Sequence, residues 1–170
     1  IKELRFLRHL SPSRDAEVRR VTFHKGLNII WAEASTEEEA NPEQRVAGHA
    51  AGKTTLCRFI RFVLGERHCA DGDVPNAIFH AFPGGHIVAE VFVRGERWIV
   101  CRPVNSALSS KCASDCSIDD FLAAPDDGDA YRIFMARMES LCADITPVTQ
   151  LPDDSRLTFW HVLPWFTRDQ

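Results

Sequence analysis

Between Gly26 and Gly65 an apolar run, Leu27-Asn28-Ile29-Ile30-Trp31, leads through an acidic excursion to Gly48-His49-Ala50-Ala51-Gly52-Lys53-Thr54-Thr55. Apolar residues then recur at Leu56, Phe59, Ile60, Val63 and Leu64. That i, i+3, i+4, i+7, i+8 spacing predicts an amphipathic helix with Arg58 and Arg61 off its apolar stripe, and Gly65 is a suitable stop. The order strand, small-residue loop, helix constrains chemistry as well as fold. A helix N-terminus offers unpaired N–H groups and a positive dipole end, and small residues let the backbone close around phosphate oxygens. In this reading Gly48, His49, Ala50, Ala51, Gly52 and Thr55 cradle phosphates. Lys53 reaches the β- and γ-phosphates of ATP, and the Thr54 hydroxyl holds Mg²⁺. The run departs from G-x-x-x-x-G-K-[ST] at Ala47, where the first glycine belongs, and in the residues 33–46 that separate loop from strand. The alternative is a chance Gly-Lys-Thr ahead of a helix, but the context on both sides favours a phosphate loop.

The 170 residues, 45% hydrophobic and 26% charged, have the composition of a globular domain that can bury a core. No stretch approaches the roughly 18 apolar residues of a membrane span, and Ile1-Lys2-Glu3-Leu4-Arg5 is not a secretory leader, so a cytoplasmic protein is expected. The absence of an initial Met reads as a piece trimmed from a longer protein. The net charge of −4 conceals an asymmetry: residues 1–31 carry seven Lys/Arg against three Asp/Glu, whereas 33–43 carry five Glu and no cation. Basic first strands fit phosphate-rich partners, nucleotide or DNA, and Arg5 and Arg19 are the residues expected to meet DNA phosphates. Taken singly, such arginines also fit a solvated face. The acidic run reads as a solvated loop rather than a metal site. The six cysteines make no disulfide framework. Cys57, Cys101 and Cys142 fall in predicted helices or a strand as small apolar residues, and Cys112 and Cys116, with Cys69 and His68 elsewhere, lack the second paired spacing of a zinc site.

In chain order, Lys2 to Leu10 and Glu17 to Phe23 alternate as two half-exposed strands, broken by Ser11-Pro12-Ser13, and His24-Lys25-Gly26 turns into the buried strand expected at Leu27 to Trp31. Residues 66–75 read as a polar loop. His86 to Val93 and Arg97 to Arg102 predict an antiparallel hairpin closed by Pro103. Residues 104–128 read mostly as loop with a short helix at Ile118 to Ala123. Tyr131, Phe134, Met135, Met138, Leu141 and Cys142 mark an amphipathic helix whose stripe is core. The apolar cluster from Trp160 to Phe166 is buried or forms an interface.

A phosphate-loop ATPase also needs a carboxylate for Mg²⁺ at the end of a second buried strand. Neither Glu90, inside a continuing strand, nor Asp144, on a helix, fits. With a Gly-Leu-Asn-Ile-Ile strand, a Gly-Lys-Thr-Thr loop, a helix and a Val88 to Arg102 hairpin, nearly the whole chain resembles the N-terminal half of an SMC, RecN or SbcC-type ATPase head, an ABC-type fold. Divergent SMC-like subunits of Lamassu-type antiphage systems are similar too. The resemblance implies one domain over 1–170 of mixed α/β (α+β) class, an antiparallel β-subdomain joined to a phosphate-loop strand–helix unit. It implies that a C-terminal half of the same head supplies the missing carboxylates, that two heads dimerise on ATP, and that a coiled coil follows. Gln170 is then a second Mg²⁺ or water ligand. DNA engagement in repair, chromosome maintenance or phage defence, an accessory effector subunit and no membrane contact also follow from it. Two other classes remain: a self-contained small kinase or GTPase-like switch, and a non-enzymatic binding module with a degenerate loop.

Overall fold

Alternating side chains set the first strand. Leu4 and Phe6 point to one face and Glu3, Arg5 and Leu7 to the other, so β1 (Glu3–Leu7) offers each face something to bury. The structure is a computed structural model that describes residues 1–29, 53–69, 74–105, 107–125 and 130–145. β1 is followed by a 3₁₀ turn (Arg14–Ala16), whose cap is Ser13, and by β2 (Glu17–Thr22). Beyond Lys53 come helices α1 (Lys53–Val63) and α2 (Val74–Ala81), the hairpin β3 (His86–Val93) and β4 (Glu96–Pro103), β5 (Lys111–Ser114), α3 (Ile118–Ala123) and α4 (Ala130–Ile145). The five strands form one antiparallel sheet in the order β2-β1-β3-β4-β5, and the described residues make a mixed α/β unit with four helices.

The hairpin turns on two residues only. Arg94 and Gly95 both have positive φ, 51° and 86°, and Val93 pairs with Glu96 across them. Positive φ at both central positions is the twist-matched hairpin geometry, and Gly95 meets it without a Cβ penalty. α3 begins with a capping box: the Ser117 hydroxyl accepts from the Asp120 N–H at 3.1 Å, and the Asp120 carboxylate accepts from the Ser117 N–H at 3.2 Å.

One sheet face carries Leu4, Phe6, Ile87, Ala89, Val91, Trp98, Val100 and Cys112 and is covered by Phe59 and Val63 of α1 and by Phe134 and Met138 of α4. Phe6 meets Phe59 at 5.2 Å and Phe82 at 4.9 Å between ring centroids, which fixes α1 and the segment after α2 over β1. On the other face Leu7, Val88, Ile99 and Cys101 pack beneath Ile118, Phe121 and Leu122 of α3. No helix among the described residues is long and apolar enough to cross a membrane.

Three segments differ from expectation. Leu27 to Ile29 lie outside any strand, with Leu27 87% and Ile29 76% exposed, so the buried strand expected from Leu27 is not formed over its described residues. β1 has β2 on one edge and β3 on the other, so it offers no edge to Leu27 to Ile29. Ile30 and Trp31 lie outside the described residues. The loop expected over 66–75 ends early, because α2 starts at Val74 with Pro75 in its first turn, where a missing N–H costs nothing. The loop expected over 104–128 contains β5, which pairs with β4 from Trp98↔Ser114 to Cys101↔Lys111. α3 falls on Ile118–Ala123, the span expected for a short helix.

Candidate phosphate-binding helix and the charged sheet face

The backbone of Lys53 opens α1, directly after Gly52, where the loop pattern requires a helix to begin. The first turn contains no acidic residue, so nothing in it opposes an anion at the positive end of the helix dipole. Thr54 is exposed and Thr55 half-buried. The helix is held rigidly behind them, since Leu56, Phe59, Phe62 and Val63 are all buried. It ends at Gly65, whose φ of 113° and N–H bond to the Phe62 carbonyl make the expected glycine stop. Gly48, His49, Ala50, Ala51, Gly52 and Gln170 lie outside the described residues, as do the acidic run 33–46 and the Trp160 to Phe166 cluster.

Beside this helix start lies an apolar groove of about 380 Å³ between β1, β2 and α1, with Thr55, Phe59, Val21 and Phe82 in its walls and Arg19 among the lining residues. Arg19 pairs in register with Phe6, which places it on the α1 side of the sheet, and it is exposed. Arg5 behaves differently, and the expectation that it meets DNA phosphates is corrected. It lies on the opposite face, 6% exposed, with its guanidinium bonded to Glu3 and, at 2.6 Å, to Asp119 of α3. Burial works against the Arg5 charge, but the hydrogen bonds it donates to Asp119 and Glu3 outweigh it and hold the group above its ordinary value. Those bonds hold the Asp119 carboxyl below its own. Arg20 is likewise committed to Glu17 at 2.7 Å. Arg5 and Arg20 are therefore committed to carboxylates of the fold, whereas Arg19 stays exposed.

Glu90, the carboxylate in the hairpin, is buried on the face away from α1 and pairs with Lys2 and Arg97, each at 3.2 Å. It does not face the start of α1. Among the described residues no group of three His, Cys, Asp or Glu is placed to hold a metal. Cys101 and Cys112 are buried, and burial pushes both thiols up to about 12. Cys57, expected to be buried, is only half so.

Sequence reasoning passed over Arg102. Its guanidinium lies 3.8 Å from the Phe62 ring centroid and donates to the backbone carbonyls of Phe62 and Glu66, closing the C-terminal end of α1. The signal was available in the alternation: Trp98, Val100 and Arg102 share a face, so the period of two that buries Trp98 also carries a cation inward.

No protein-family model matches the chain, and no curated protein or solved structure matches it.

Proposed function

We propose that this chain is the nucleotide-binding N-terminal lobe of an SMC-like ATPase head, which joins a C-terminal lobe and a second head in an ATP-dependent machine acting on DNA. The observation that carries the reading is the start of α1: a helix free of acidic residues in its first turn opens at Lys53, straight after the small-residue loop, and lies on an antiparallel sheet. The residues fit a magnesium nucleotide. Lys53 supplies a cation for the β- and γ-phosphates, the first-turn N–H groups and Thr55 supply donors, and exposed Thr54 supplies a hydroxyl for Mg²⁺. Bound there, the metal would neutralise phosphate charge. The chain's own contribution is positioning.

A half-head also accounts for the apolar surface exposed among the described residues. Leu27 and Ile29 are exposed and the groove beside Thr55 is apolar, as expected of surfaces that pack against a further lobe. The antiparallel register of β3 on β1 argues against a self-contained kinase or GTPase-like switch, whose strand after the phosphate-loop helix belongs in a parallel sheet.

The test is calorimetric titration of Mg·ATP into the chain and into Lys53→Ala, followed by phosphate release from the chain alone and mixed with the C-terminal half of its natural protein. Binding is expected to be lost in Lys53→Ala with the fold retained, and turnover to require the second half, because missing preorganised groups forfeit orders of magnitude in rate. Equal ATP affinity in Lys53→Ala would refute the phosphate loop. Full turnover by the isolated chain would refute the half-site.

A further inference from the structure

A buried cation with no carboxylate in ion-pair contact among the described residues marks a second site, at the opposite end of α1 from Lys53. Arg102 is only 9% exposed. Its Nη1 donates to the Glu66 carbonyl oxygen at 2.6 Å and to that of Phe62, and its Nε donates to the Ser110 hydroxyl at 3.4 Å. These partners are dipoles. No carboxylate among the described residues lies within ion-pair distance of the guanidinium, and the Glu66 side chain is turned to Arg61 Nε at 2.8 Å. Buried charges in proteins are normally paired, because dipoles offset only part of the desolvation cost.

The same guanidinium forms one wall of a cavity of about 650 Å³, within the size range of small-molecule sites. Arg67 and His68 stand exposed along its lining and Asn105 adds polar atoms, while Phe62 and Phe79 give it aromatic walls. No acidic residue is among the described residues that line it. Two guanidinium groups and an imidazole around one space call for a dianion, and aromatic walls beside them call for a flat ring.

We propose that this cavity binds a small organic phosphate in which an aromatic ring adjoins the phosphate group. The ring lies against Phe79, and the phosphate supplies Arg102 and Arg67 with a counter-charge. The site is separate from the phosphate loop and does not depend on the ATPase reading.

Phenyl phosphate is the probe, titrated into the full chain carrying Lys53→Ala so that the loop does not contribute, with amide shifts followed by NMR. Shifts are expected in residues 62–69 and 102–110, with inorganic phosphate and phenol each binding at least about tenfold more weakly, the equivalent of one or two lost polar or aromatic contacts. Arg67→Glu, on an exposed stretch outside the core, should weaken binding by about tenfold or more with an unchanged melting temperature. Phe79→Ala should erase the preference for phenyl phosphate over inorganic phosphate. Shifts absent from both segments, equal affinity for inorganic phosphate, or unaltered binding in Arg67→Glu would overturn the proposal.

Discussion

Arg5→Met separates a structural role for the basic first strands from a role in DNA contact. Methionine keeps an apolar stem beside Leu7 and removes only the charged fork. Removing one partner of a buried pair typically costs about 3–5 kcal/mol, because the other charge is stranded. Here the stranded partners reach water: the Asp119 side chain is 70% exposed, Glu17 25% and Glu3 17%. The cost should therefore fall to about 2 kcal/mol, the scale of one charge-assisted hydrogen bond. With a urea slope of about 1–3 kcal/mol/M for a domain of this size, the unfolding midpoint should drop by about 1 M. A double-mutant cycle with Asp119→Asn should return a coupling of about 1 kcal/mol, since the pair shares a 2.6 Å bond. The pH dependence carries a sign. The Arg5 hydrogen bond, opposed by burial, holds the Asp119 carboxyl below its ordinary 3.8. The pair's contribution is thus complete above that value and is lost as pH falls through the lower, folded value. Arg5→Met should accordingly cost less at pH 3 than at pH 7. For the head proposed above, Arg5→Met should leave the salt slope of DNA binding unchanged, whereas Arg19→Glu should flatten it. A midpoint shift below about 0.2 M, or strict additivity with Asp119→Asn, would refute the structural role.

Phe134→Ala should cost about 3–5 kcal/mol in thermal or urea unfolding, because Phe134 is 0% exposed and packs 5.8 Å from the Trp98 ring; a loss under about 1 kcal/mol would mean that α4 is not anchored there. Iodoacetamide at pH 8 followed by peptide mapping should label half-exposed Cys116 well before Cys101 or Cys112, whose thiols burial raises to about 12; equal labelling would show that β4 and β5 open readily. Burial lowers the His86 imidazole, against its bond to the Gly84 carbonyl and with help from Lys111 and His9. The unfolded chain then binds the proton first, so stability should fall as pH drops from about 6.5 toward the folded value, and His86→Asn should flatten that decline.

What the sequence determined by itself was what lies within one segment. The hairpin was legible because each strand carries its own alternation and Arg94-Gly95 can adopt the paired positive φ that closes it. α1 was legible because Leu56, Phe59 and Val63 recur at the helical period and Gly65 stops them, and the short helix expected at Ile118 to Ala123 is closed locally by its Ser117–Asp120 capping box. Lys53 at the head of α1 was legible for the same reason, while the glycines and alanines before it fall outside the described residues. Only the tertiary structure decided neighbours. That β3 rather than Leu27 to Ile29 lies against β1 depends on pairing residues more than eighty positions apart, Glu3 with Glu90, and no local pattern encodes that choice. β5, four residues long, gains its strand character from β4. The arginines show the same division. Composition alone makes Arg5, Arg19 and Arg102 equivalent cations, but the pleat sends Arg5 into the carboxylates beside α3, Arg19 to an exposed groove and Arg102 to the C-terminal carbonyls of α1. A side chain's face is set by local alternation, whereas what waits on that face is set by chain folded back from far away.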